Sequence, residues 1–164
     1  MHRLLIWAGL GLGLVATSAA CGGEESVSDW DLSASAVRFP CTLIQPTEAV
    51  ALLGAKLQLD EPSAFDDTCY YEGQEPAAGV VRPMLTLSVD HGGIQQTGPQ
   101  PKEISSLGSE AVFYYINEHV AEVAFVLRTG GEERTVTLSL ARYDRRPEQG
   151  SLVAAAKIIA KRAE

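Results

Sequence analysis

Residues 111–140 read AVFYYINEHVAEVAFVLRTGGEERTVTLSL, and their pattern decides the fold class. Ala111–Ile116 is a run of β-branched and aromatic residues that stops at the polar turn Asn117-Glu118-His119. Val120–Leu127 follows, Gly130-Gly131 interrupts, and Arg134–Leu140 alternates polar with apolar side chains. Three strand-forming runs joined by turns too short for a crossover predict an antiparallel meander. A sheet with one apolar face needs a cover, and the chain's end supplies it. Ser151 suits a helix cap, and Leu152, Ala155, Ala156 and Ile159 share one face of a helix running through Arg162. Lys157, Lys161 and Arg162 crowd its negative end, where cations are favoured.

Toward the N-terminus the same signals recur. Met84–Asp90 and Lys56–Asp60 alternate with period two, and Asp67–Glu72 forms another strand-like run. Pro62-Ser63, Glu75–Gly79 and the long polar stretch Gly92–Ser106 read as loops. Within Cys41–Gly54 a short helix has readable ends: Pro46 in the first turn, Thr47 and Glu48 at the positive end, Gly54 for a left-handed terminus. Ala49, Leu52 and Leu53 fall on its core side. The order helix, three strands, loop, three strands, helix predicts an α+β fold. Its antiparallel sheet has about five or six strands, with the short N-terminal helix and the C-terminal helix packed on one face. A β-sandwich is the alternative, and the apolar stripe of the last helix argues against it.

Composition bounds the function. The chain has 164 residues and a formal charge of −8, with 21 acidic against 13 basic residues. It offers no basic field for a phosphate backbone, so nucleic acid is not expected as a partner. Residues 1–20 have the three parts of an export signal: basic His2-Arg3, apolar Leu4–Val15, then the small residues Thr17-Ser18-Ala19-Ala20. The apolar part is shorter than the roughly 20 residues a membrane-spanning helix needs. Ser18-Ala19-Ala20-Cys21 resembles the bacterial lipobox, with Ser18 where Leu is usual. The resemblance implies cleavage before Cys21, acylation of Cys21, and a cell-envelope, extracytoplasmic protein whose membrane partner is reached through that lipid. A plain signal-peptidase site, with Cys21 an ordinary thiol, is the other reading. Residues 21–36, polar but for Trp30, read as a flexible tether in which Trp30 could anchor locally on the domain, and 37–164 as a single domain. If Cys21 carries lipid, Cys41 and Cys69 remain as an even pair in an oxidising compartment, the arithmetic of a disulfide.

Phe39-Pro40-Cys41-Thr42-Leu43-Ile44-Gln45-Pro46-Thr47-Glu48-Ala49, then Leu52-Leu53-Gly54 and Thr68-Cys69-Tyr70-Tyr71, resemble a family of secreted, actinobacterial-type lipoproteins of unknown function. Leu107-Gly108-Ser109-Glu110-Ala111 is similar to the family's Gly-Asp-Glu-Ala turn, so the likeness spans about residues 39–163. Gln45 stands where the family caps its helix with Thr, and Phe39 where it has Asp. The resemblance implies a small extracytoplasmic α+β domain with a Cys41–Cys69 disulfide, and it implies no activity.

No catalytic constellation, metal site or cofactor motif emerges. Asp90-His91-Gly92-Gly93 sets a carboxylate beside an imidazole, but neighbours in a strand point to opposite faces. Ser105, Ser106 and Ser109 lack a nucleophile elbow. The pairs Asp66-Asp67 and Glu132-Glu133 lack calcium-loop spacing and read as solvated turns. Adjacent aromatics are the informative feature: of Tyr70 and Tyr71, and of Tyr114 and Tyr115, one member must face away from the other. One of each pair is therefore expected on the open sheet face, where it could bind an envelope protein or a small molecule. The expected function is a non-catalytic binding domain on an envelope lipoprotein. The alternatives are a structural or accessory envelope protein and, behind it, an envelope hydrolase.

Overall fold

A computed structural model describes residues 40–163 apart from 66, 95–97, 108, 109 and 130. The expected signal peptide, Cys21, the tether and residues 37–39 lie outside the described residues. The fold is α+β. A 3-10 turn over Pro40–Thr42 leads into α1 (Pro46–Leu53). Strands β1 (Ser63–Phe65), β2 (Thr68–Glu72), β3 (Met84–His91), β4 (Lys102–Glu103), β5 (Ala111–Tyr115), β6 (Val120–Thr129) and β7 (Glu132–Ala141) follow, and α2 (Gln149–Ala163) ends the chain.

All seven strands join one antiparallel sheet in the order β1-β2-β3-β7-β6-β5-β4. The expected meander over 111–140 is present as β5-β6-β7, and β1-β2-β3 is a second. Pairing of β3 with β7, from Met84↔Ala141 to His91↔Arg134, welds the two together.

The sheet has seven strands rather than five or six, and two loop expectations account for the difference. Ser63–Phe65 is a strand because it pairs antiparallel with Thr68–Tyr70, Phe65 opposite Thr68. That pairing leaves Lys56–Asp60 only the far end of β2, so this segment is no strand and contributes a single bridge, Leu57↔Gly73. Its alternation does not mark a buried face: Leu59 is 62 % exposed. Lys102-Glu103, inside the expected long connection, pairs with Val112-Phe113 to form the far edge.

Register divides the side chains cleanly. Cys69 and Tyr71, Leu85, Leu87 and Val89, Val136, Leu138 and Leu140, Val123 and Phe125, and Phe113 are buried on one face. Both helices cover it, α1 through Ala49, Leu52 and Leu53, α2 through Leu152, Ala156 and Ile159. α1 is two turns long and would not persist alone. Its ends are built as the sequence predicts: the Glu48 carboxylate accepts from the Gln45 N–H at 2.8 Å, and Gly54 closes it at φ 64°. Cys41, in the entering turn, is disulfide-bonded to Cys69 in β2, with Cα atoms 5.1 Å apart. The Tyr71 hydroxyl donates to the Ile44 carbonyl at 2.7 Å.

Candidate functional site

The second face of the sheet is read from the same register. One cross-strand row runs Tyr70, Thr86, Ser139, Glu122, Tyr114; the row below runs Thr68, Ser88, Thr137, Ala124, Val112; the row above holds Glu72, Met84, Ala141 and Val120. The floor is thus a carpet of hydroxyls with an aromatic at each end of the middle row.

The two ends differ. The connection from β3 to β4 must travel from the sheet's centre to its edge, and its described residues Gly92 and Gly98 touch this second face. The Thr135 hydroxyl donates to the Gly92 carbonyl, and Gly98 lies on the Tyr114 ring so closely that a Cβ there would collide with Cδ2. Tyr114 is consequently 2 % exposed although it faces away from the helices, and its hydroxyl donates to Glu122 Oε2 at 2.6 Å. Tyr114 is a covered packing residue here, closed off by a segment whose composition carries no strand or helix period.

Of the four tyrosines proposed from the sequence, Tyr70 has its side chain on this face at an accessible depression, which its strand neighbour Tyr71 also borders. Tyr71 and Tyr115 are on the helix side. Tyr71 lies in the core, where burial, and secondarily the Glu48 charge, raise its phenol above the ordinary tyrosine value. Tyr115 meets Phe113 edge-on with centroids 4.8 Å apart, donates to the Pro147 carbonyl at 3.2 Å, and carries the Arg146 guanidinium 3.7 Å above its ring.

Around Tyr70 the face stays open. A depression of about 140 Å³ is lined by Leu59, Glu61, Ser63, Tyr70 and Met84 among others. Across Met84 and Glu72 it adjoins a wider one of about 540 Å³, walled by the loop Glu75–Arg82 and by Tyr143. Glu75 fixes that loop by accepting from the Gly79 N–H at 2.6 Å, and Arg82 pairs with Glu72 at 3.0 Å. Val81 and Tyr143 remain exposed. These wall residues were not singled out from the sequence, because they lie in segments with no period.

The other candidate chemistry is dispersed. Asp90 and His91 end β3, paired with Thr135 and Arg134 respectively. Glu132 and Glu133 are exposed, as expected, and pair with Arg134 at 2.7 Å and Arg128 at 2.8 Å. Ser105 and Ser106 form a one-turn 3-10 helix with Leu107, and Ser109 and Asp66 lie outside the described residues. His119 follows an Asn117 turn, packs on Tyr143 at 5.1 Å and lies 3.4 Å from Glu118. Among the described residues no group of three metal-ligating side chains occurs, and no helix is long and apolar enough to cross a membrane. Comparison with protein-family models, with curated proteins and with solved structures gave no match to this chain.

Proposed function

We propose that the chain is a cell-envelope lipoprotein, anchored through acylated Cys21, whose domain binds a small molecule or short peptide without catalysis on the second face of its sheet. The observation that carries this reading is the twin depression around Tyr70 and Met84. It unites aromatic rings, apolar patches, the Ser63 hydroxyl, the Arg82 guanidinium and three carboxylates at one end of the sheet, the mixture by which pockets fix orientation while burying apolar area. Its wider half exceeds the roughly 300 Å³ at which ligand sites begin. The lipoprotein part rests on the leader and on Ser18-Ala19-Ala20-Cys21, and membership of the actinobacterial-type lipoprotein family is proposed from the separate Phe39–Gly54 and Thr68–Tyr71 motifs.

The test has two arms. Replacing Cys21 by Ser should abolish palmitate labelling and release the protein from membranes; persistent membrane association would mean that the leader is retained. For the face, NMR titration with envelope glycan fragments, peptides and lipids should shift the amides of Tyr70, Met84 and Val81 together. Absence of any coherent shift on this face would turn the reading toward a structural envelope protein. A specific feature favours that second reading: among the described residues edge strand β1 has no neighbour on its outer side and Phe65 is 70 % exposed, a surface suited to strand addition by a protein partner.

A further inference from the structure

Between the two helices runs an apolar groove of about 230 Å³, on the opposite side of the molecule from the depressions just described. Ile44 and Leu52 form its floor with Ala155 and Ile159, and Ala51, Ala154 and Ile158 form its rims. Ala51, Ala154 and Ile158 are solvent-exposed, Ile158 to 43 %. At one end the ion pair Glu48–Arg162 closes it.

We propose that the groove is the seat of Trp30, so that the N-terminal segment docks on the helix layer of its own domain. Three observations converge on this occupant. The first is connectivity. The described chain begins at Pro40, four positions before Ile44 in the groove floor, and Trp30 lies ten positions before Pro40. Ten residues reach up to about 33 Å, more than the length of the 15-residue α2 at about 1.5 Å per residue. The second is size. Between Cys21 and Arg38, Trp30 is the one aromatic residue, and a single indole is the kind of flat apolar body a short groove between helices takes up. The third is charge. Trp30 is flanked by Asp29 and Asp31, and Glu24 and Glu25 precede them, while Lys157 and Lys161 stand exposed on the α2 flank beside Ala154. Lys157 and Lys161 each follow a rim residue, Ala154 and Ile158, by three positions, so both cations stand within one helical turn of the rim.

The consequence is an orientation. With Trp30 seated, Cys21 lies nine positions from the anchored chain instead of nineteen, which cuts the reach of the tether from about 65 Å to about 30 Å. The helix layer is then held toward whatever Cys21 is attached to, and the face carrying Tyr70 is turned away from it.

The chain is well suited to the test, because Trp7 and Trp30 are its two tryptophans. The full chain with Trp7→Phe, in detergent, reports Trp30 alone. Its emission should be blue-shifted and its quenching by acrylamide weak. Ala154→Arg and Ala51→Arg, one on each rim and both at exposed positions, should each red-shift the emission and restore quenching, with unchanged circular dichroism. An exposed Trp30 in the parent overturns the proposal. So does a buried Trp30 that neither rim substitution releases, since the indole is then in the micelle or elsewhere on the domain. The result does not depend on acylation, so it can fail while the lipoprotein reading stands, and the reverse.

Discussion

Arg162, in the last turn of α2, reaches Glu48 in the first turn of α1 through two contacts of 2.6 and 2.7 Å, and its Nη1 also donates to the Leu43 carbonyl at 2.9 Å. A guanidinium and a carboxylate meeting fork to fork fix angle as well as distance, so the pair sets how the helices lie together. The contact with Arg162 holds the Glu48 carboxyl below the ordinary Glu value. A carboxylate whose folded value is depressed stabilises above its unfolded pKa, and the contribution drains away as pH falls through the folded value. Asp144, lowered by its hydrogen bonds to Arg142, acts in the same direction. Urea midpoints should therefore fall as pH drops below about 5. Glu48→Gln should lose up to about 1 kcal/mol at neutral pH and show a shallower acid slope. An unchanged slope in Glu48→Gln would mean that the pair contributes nothing to stability. The Cys41–Cys69 bond acts on the same corner from the other side: it closes a 28-residue separation and staples the turn before α1 to β2. Replacing both cysteines by Ser should cost about 3 to 4 kcal/mol in urea denaturation. Non-reducing mass spectrometry should show the linked peptide, and two free thiols would contradict the pairing.

Among the elements, the β3–β4 connection is the one whose role is least visible beforehand and most consequential afterwards. It covers Tyr114 through Gly98, where a side chain has no room. Gly98→Val should cost about 1 to 3 kcal/mol by overpacking. The cost should shrink in a Tyr114→Ala background, because the two sites share one contact. Additive effects in the double-mutant cycle would show that the crossover is held elsewhere. The contrast explains what the sequence makes legible. The β5-β6-β7 meander and both helices announce themselves because a buried stripe must recur with the period of its element, as in Val136, Leu138 and Leu140 or Leu152, Ala156 and Ile159. A crossover has no such constraint, and Gly98, Pro99 and Pro101 look the same whether they cover a sheet or hang beside it. The same blindness hid Val81 and Tyr143 at the depression, and Arg142, a 6 % exposed cation just past β7 that donates to the Leu52 carbonyl and is paired with Asp144 at 2.7 Å. The division of each tyrosine pair between faces was legible, because strand geometry forces it. Which of the outward tyrosines stays accessible was not, because that depends on where the loop lands.

Viewed whole, the molecule places its core on one face of the sheet and leaves, on the other, the open depression at which binding is proposed. The helix face holds the core, and β7 at its centre is flanked by β3 and β6, so a defect in β7 is felt by both meanders. Leu138 is fully buried there, opposite Leu87 on one side and Val123 on the other. Leu138→Ala should cost about 2 to 5 kcal/mol, because the surrounding strands and helices cannot collapse onto the cavity. On the second face Tyr70 stands in β2 beside Thr86, at the margin of an open depression, with no helix above it. Tyr70→Thr keeps a strand-forming residue and should change stability by about 1 kcal/mol or less. It should also erase the ligand-induced amide shifts at Met84 and Val81. The two variants must therefore dissociate: Leu138→Ala lowers the urea midpoint and, while folded, keeps the shifts, whereas Tyr70→Thr keeps the midpoint and loses them. A Tyr70→Thr protein that unfolds as readily as Leu138→Ala would show that the second face is part of the fold's support, and that recognition lies at the β1 edge or the helix groove instead.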